Sequence, residues 1–300
     1  MKWYMKALGQ KALSIMPYGQ RINDFLRDNC FSRNKRTPLN DENQFGWKIG
    51  MVKNHIEMYE KYGSHPLEES TLYEFGAGWD LFVPMAYYFL GVKKQIIVDE
   101  RKLTRANSIN NVIDKLSTKI PDVKTHGRIS NNLDGLESYG ITYVAPCDAR
   151  NTTLSSKSID FISSTHVMEH IPEKDIPAIL QECYRILKDD GIMSVEIGCE
   201  DHFSYQANPS ISPQNFLRFN DFTWNLLFNS SIVYQNRLRH TNYINMFKSC
   251  GFELLEDNSR PATKEHIEKL KDIKINNRFS EHSLDELAIY KVDLIFRKKV

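Results

Sequence analysis

The rhythm of apolar positions changes near residue 71. Before it the spacing is helical. Tyr4, Leu8, Ala12 and Ile15 share one helical face, and a second helix spans about Gly46 to Tyr62, with Trp47, Met51, Ile56 and Tyr59 as apolar anchors. The turn-rich stretch Asn34-Lys35-Arg36-Thr37-Pro38-Leu39-Asn40-Asp41 separates the two, and Gly63 and Pro66 close the second. From Thr71 onward, short apolar runs alternate with amphipathic segments. Thr71 to Phe75 predicts a strand, followed by a helix to Leu90 with Asp80 as N-cap and Gly91 as its stop. Gln95 to Asp99 predicts a second strand, continuous and apolar as in a sheet buried on both faces. A helix from about Leu103 to Leu116 follows, then strands at Ile141 to Val144 and Ile159 to Ser163. An amphipathic helix spans Lys174 to Lys188 and a fifth strand Gly191 to Ile197. Asn242 to Cys250 predicts a helix, and Phe252 to Glu256 and Ile289 to Phe296 the last two strands.

This alternation predicts an α/β fold of the doubly wound type, a mostly parallel sheet with helices on both faces. Right-handed crossovers leave few topologies. Residues 1–70 read as an N-terminal helical cap. Residues 71–300 read as the main domain, with an insertion at about 201–240. No internal repeat interrupts this organisation.

Charge and cysteines narrow the function classes. Lys and Arg number 39 and Asp and Glu 38, a net charge of +1. That balance argues against a protein that holds nucleic acid mainly by its phosphates. The five cysteines, Cys30, Cys147, Cys183, Cys199 and Cys250, include no CxxC pair, which speaks against a zinc ribbon or a disulfide scaffold. The start of the chain lacks a secretory signal, and the longest apolar run, Leu81 to Val92, contains Pro84 and falls short of a membrane span. A cytoplasmic location is expected. The first helix, with Trp3, Tyr4, Lys2, Lys6 and Lys11, leaves a peripheral membrane contact open as the weaker alternative to packing on its own domain.

Ligands of such sheets bind beyond the carboxyl ends of the strands. After strand one comes Glu74-Phe75-Gly76-Ala77-Gly78-Trp79-Asp80, where two glycines permit a sharp turn and close approach to a ligand. Leu81 stands where a dinucleotide-binding loop has its third glycine, so a cofactor without a pyrophosphate is expected. After strand two, Asp99 and Glu100 offer carboxylates to ribose hydroxyls. After strand three, Asp148 can receive an adenine amino group and Ala149 leaves room for the ring. After strand four come Thr165, His166, Val167, Met168, Glu169 and His170. Two histidines four apart suggest zinc, but Val167 stands where the metalloprotease pattern needs Glu. Asp148, Glu169 and Asp201 do not have magnesium spacing either, so no metal is expected.

Taken together, these residues resemble the class I S-adenosylmethionine-dependent methyltransferase superfamily, over Leu72 to Ile197 closely and Asn242 to Phe296 loosely. The resemblance implies a Rossmann-like, seven-stranded sheet with an antiparallel last strand, and S-adenosyl-L-methionine as cofactor. It places the methionine part against Glu74, Gly76, Ala77 and Gly78, the ribose on Asp99 and the adenine by Asp148 and Ala149. Leu187-Lys188-Asp189-Asp190-Gly191-Ile192 is similar to the family's approach to strand five.

An oxygen nucleophile needs its proton removed. His202, just past strand five in Gly198-Cys199-Glu200-Asp201-His202-Phe203, is the first candidate base, with His166 and His170 next. The Asn/Asp-Pro-Pro-aromatic signature of base-amine methylases is absent, which again argues against nucleic acid. The insertion interleaves Phe203, Tyr205, Phe216, Phe219, Phe222, Trp224, Phe228 and Tyr234 with Arg218, Arg237 and Arg239. It reads equally as a ring-binding rim with arginines for substrate charge and as a helical lid with its own aromatic core. Trp79, the aromatic helix Pro84 to Leu90, His202 and Asn215-Phe216-Leu217-Arg218-Phe219 resemble methyltransferases of bacterial surface-polysaccharide synthesis. That implies O-methylation of a sugar or sugar nucleotide. Another small molecule or natural product, a non-catalytic binding module and a homodimer stay open.

Overall fold

The computed structural model describes residues 3–29, 41–207, 211–260 and 263–299. Cys30, Lys2 and the turn-rich stretch up to Asn40 lie outside the described residues, as does the side chain of Tyr205. The strands are β1 (Thr71–Phe75), β2 (Lys94–Val98), β3 (Ile141–Val144), β4 (Ile159–Thr165), β5 (Leu187–Gly198), β6 (Phe252–Asp257) and β7 (Lys291–Lys298). They form one seven-stranded sheet in the order β3-β2-β1-β4-β5-β7-β6. Neighbours from β3 to β5 pair in parallel, and β7 runs antiparallel to both β5 and β6. The order reverses between β1 and β4, which opens a crevice at their carboxyl ends.

The helices in chain order are α1 (Trp3–Ile15), α2 (Gly19–Asn29), α3 (Glu42–Tyr62), α4 (Phe82–Phe89), α5 (Ala106–Lys119) and α6 (Ile176–Ile186). The later ones are α7 (His202–Ala207), the single turn α8 (Asp221–Thr223), α9 (His240–Ser249), α10 (Lys264–Lys271) and α11 (Leu284–Leu287). Helices α3, α4 and α5 share one apolar cluster on one sheet face, and α6 and α9 share another on the opposite face. Among the described residues, no helix is long and apolar enough to cross a membrane.

Three local expectations change. First, α3 packs on the sheet without all of its expected anchors. Asp41 caps it, its carboxylate accepting from Asn43 N at 2.9 Å, and Phe45, Val52, Ile56 and Tyr59 fall on one stripe that packs on the sheet. The Tyr59 ring stacks on Phe161 of β4, 4.8 Å between centroids. Trp47 points away from this stripe and is 50% exposed rather than an anchor. Second, the buried side of α1 carries Trp3 and Ala7, not Tyr4, Leu8 and Ile15, which are exposed. Trp3 sits against Phe203, Phe219 and Phe228, and Lys11 Nζ donates to the carbonyls of Asn225 and Asn229, both at 2.8 Å. Third, the N-cap of α4 is Leu81, in the left-handed region with φ 50°, while Asp80 one residue earlier accepts from Phe82 N at 3.1 Å.

The insertion builds its own core. Phe203, Phe216, Trp224 and Phe228 are buried with Leu270, Phe279 and Leu287 from the segment between β6 and β7. Two of its arginines are structural. Arg239, fully buried, donates to the carbonyls of Cys199, Leu287 and Ile289, and Arg237 to those of Phe216 and Phe219 and to Asp221. Both guanidiniums are buried and tied to the fold through their terminal nitrogens, which places them away from a substrate's charge. Arg218 is exposed.

Between α3 and the sheet lies a polar layer. His55 is fully buried and bonds Ser194 Oγ on β5 through Nδ1 (2.7 Å) and Thr165 Oγ1 on β4 through Nε2 (3.2 Å). Asn54 donates to Asp293 Oδ2 on β7 at 2.8 Å. Burial lowers the pKa of His55 from 6.5 to about 4, only partly opposed by the charge of Glu196. Between those pH values the unfolded chain takes up the proton and the folded one does not. The contribution of His55 is therefore full above pH 6.5 and is lost as pH falls towards 4, on the order of 3 kcal/mol. Denaturant melts from pH 7 to 4 should show wild type losing more stability than His55→Gln. Parallel losses in the two proteins would contradict this assignment.

Candidate functional site

The β1 turn is built for close approach. Gly76 and Gly78 have φ of 84° and 71°, conformations that side-chain-bearing residues rarely adopt. Gly76 N donates to Val98 O at 2.9 Å, which ties the turn to the end of β2. A Cβ on Gly76 would meet Val167 Cγ2 at 2.5 Å, so this glycine is required by packing. A Cβ on Gly78 would meet nothing within 4 Å, so this glycine faces open space. Ala77 is buried between them. Glu74 is buried inside β1, opposite Ser163 of β4, and its Oε2 has no hydrogen-bond partner. Burial alone pushes its pKa well above the carboxylate range.

Asp99 follows β2 directly and is half-buried. Its Oδ1 accepts from Arg101 N at 3.0 Å. Burial raises its pKa, with the Arg101 N–H and charge and the Ala77 N–H opposing the shift. Asp99 therefore stands beside the glycine turn, as the sequence predicts, and Glu100 is exposed next to it. Asp99 O also accepts from Cys147 N at 2.8 Å, which draws the loop after β3 to the same rim. There Asp148 is exposed and Ala149 half-buried. Both Asp148 oxygens are engaged by Arg150, which holds its pKa below the usual range.

The ends of β4 and β5 hold the densest chemistry. His166 adopts φ 53° directly after Thr165. Its Nδ1 lies 3.2 Å from Glu169 Oε1 and its Nε2 3.1 Å from Glu196 Oε1. Carboxylates only accept, so both ring nitrogens donate and the ring is an imidazolium. Burial disfavours that charge, but the hydrogen bonds and charges of Glu169 and Glu196 outweigh it and raise the pKa to about 9. Lys291 of β7 pairs with the other oxygen of Glu196. Gly198 closes β5 under this cluster, where a Cβ would lie 2.9 Å from Glu169 Oε1 and 3.0 Å from His166 Nδ1. Trp47 of α3, exposed, has its ring 5.4 Å from that of His166.

The rings of His170 and His202 meet across this end, 4.7 Å between centroids and tilted by 43°. His202 opens α7 and is half-buried, and burial lowers its pKa to about 4. His170 is exposed, and its Nδ1 lies 2.9 Å from Tyr234 O. Asp201 directly precedes His202 in the chain. It is buried and accepts from Phe203 N at 2.8 Å and Asn215 Nδ2 at 3.1 Å.

All three candidate histidines thus stand at one strand end. The glycine turn, Asp99 and Asp148 line the adjoining strand ends. The sequence does not reveal Trp47, Glu196 or Gly198 as members of the cluster. Only Gly198, a glycine closing a strand, carries a visible signal.

Residues 122–195 match the family model of a methyltransferase domain. No curated protein matches the sequence. Among solved structures, the PH0226 protein of Pyrococcus horikoshii is similar at 12% identity, covering 88% of this chain and 94% of that one, with a TM-score of 0.50. The 1,6-didemethyltoxoflavin-N1-methyltransferase of Burkholderia thailandensis, solved with 1,6-didemethyltoxoflavin and S-adenosylhomocysteine, is similar at 10% identity. That match covers 94% of this chain and 89% of that one, with a TM-score of 0.48.

Proposed function

We propose that this chain, which carries a methyltransferase domain on the class I S-adenosylmethionine-dependent fold, methylates a hydroxyl of a small ring-shaped acceptor such as a sugar or sugar nucleotide. Its cofactor, S-adenosylmethionine, supplies an electrophilic methyl group on a sulfonium sulfur. The residues present fit that cofactor. Gly78 borders open space, since a Cβ built on it meets nothing within 4 Å, and Asp99 stands one strand away with a half-buried carboxylate. In this reading Gly76, Ala77 and Gly78 hold the methionine part with backbone, supported by buried Glu74. Asp99 and Glu100 take the ribose, and Asp148, Ala149 and Thr165 flank the base and the way to the acceptor.

The observation that carries the acceptor reading is the exposed Trp47 ring beside the histidine cluster. An aromatic face at a cleft mouth suits a ring that brings hydroxyls with it. An acceptor seated on Trp47 would direct a hydroxyl towards His170 and His202, where its proton must be removed. His166, donating through both nitrogens, would instead position Glu169 and Glu196. Residues 201–240, held down by α1, would form the lid, and residues 1–70 would join that lid to the sheet. The surface-glycan setting rests on the sequence resemblance.

A screen of nucleotide sugars and glycan acceptors with a labelled methyl donor, read by mass spectrometry, tests this. A product methylated on oxygen, lost on Trp47→Ala through a raised KM, is expected. Methylation confined to nitrogen acceptors would contradict the acceptor reading.

A further inference from the structure

Three metal-ligating side chains converge at the acceptor end of the crevice. One ligand atom each from Glu169, His170 and His202 lies within 4.8 Å of the others. An ion held at about 2.0–2.2 Å from each would draw such atoms to roughly 3–4 Å apart. Two further observations point to a ligand there. Glu169 is buried, and while its Oε1 takes His166 and Gly198 N, its Oε2 has no hydrogen-bond partner. His170 donates from Nδ1 to the Tyr234 carbonyl, which leaves Nε2 as a bare lone pair. That is how metal-bound imidazoles are usually oriented, one nitrogen fixed by a backbone carbonyl and the other on the ion.

We propose that Glu169, His170 and His202 bind a divalent transition metal, zinc foremost. The structure would thereby add an ion where the sequence pattern predicts none. Two imidazoles and one carboxylate are a borderline-soft donor set, suited to zinc rather than to magnesium or calcium. Three protein ligands leave a position open for water or an acceptor oxygen. The inference deepens the methyltransferase reading and rests on it. His170 and His202 then give their lone pairs to the ion, and the ion holds the acceptor oxygen and lowers its pKa, so that its proton passes to solvent water rather than to either imidazole.

The test uses the full chain, dialysed against a chelator and titrated with zinc chloride alone by calorimetry. About one zinc per chain is expected in wild type, with affinity at least about tenfold weaker in both His170→Ala and His202→Ala. Circular dichroism of the variants checks that they fold, and exposed His170 is the safer of the two. No uptake by wild type, or equal uptake by wild type and both folded variants, would overturn the metal. A parallel titration of wild type with S-adenosylhomocysteine separates the two claims. Cofactor binding without zinc binding sinks the metal alone, and failure of cofactor binding sinks the methyltransferase reading.

Discussion

Replacing Asp99 with alanine is expected to weaken S-adenosylhomocysteine binding by about 100-fold, roughly 2.7 kcal/mol, while the chain stays folded. The side chain sits at the end of a buried parallel strand, next to the glycine turn, yet uses one oxygen for a local turn with Arg101. A carboxylate in that place can accept from two ribose hydroxyls, and charge-assisted bonds of this type are the strong ones. Loss of the side chain removes both. Asp99→Asn keeps one acceptor oxygen and should fall near tenfold. Calorimetry on the three proteins measures the series. An alanine variant that binds like wild type would remove Asp99 from the cofactor site.

The two glycines of the turn should respond in opposite ways. At Gly78 a new side chain meets no neighbour, so Gly78→Val costs only the strain of a positive φ, roughly 1–2 kcal/mol. Its branches then occupy the open space, and cofactor binding should drop by more than about 100-fold. At Gly76 a Cβ strikes Val167, so Gly76→Ala should lower stability more than Gly78→Val does, despite the smaller side chain. Thermal melts and cofactor titrations on both variants read the contrast. Full cofactor affinity in Gly78→Val would mean that this space holds something else.

The parallel strands were legible because a strand buried on both faces is mostly apolar. In β1 all five residues are buried, with Leu72, Tyr73 and Phe75 carrying the pattern and Thr71 and Glu74 departing from it. β5 was only partly legible. Leu187 and Lys188 read as the end of the preceding helix, but Leu187 opens β5 and pairs with Ile159 of β4 directly at the end of α6. The turn after β1 and Asp99 could be read from the chain because both are local patterns placed by the strands before them. The polar layer could not. His55, Thr165 and Ser194 stand far apart in sequence, and only the sheet register and the docking of α3 join them. The same holds for Glu196, which reads as a polar interruption of an apolar strand until His166 and Lys291 meet it. Arg237 and Arg239 show the converse. In sequence an arginine among aromatics suits a phosphate, but here carbonyls of the insertion claim Arg237, and those of Cys199, Leu287 and Ile289 claim Arg239. The face of α1 was misassigned because its partner is that insertion, whose fold no local period reveals.

On the proposed function, the crevice between β1 and β4 holds S-adenosylmethionine. Calorimetric titration of the wild-type chain with S-adenosylmethionine tests it most directly. One molecule bound per chain, with the affinity reduced in Asp99→Ala, is the predicted result. No saturable binding by folded wild-type protein would contradict it.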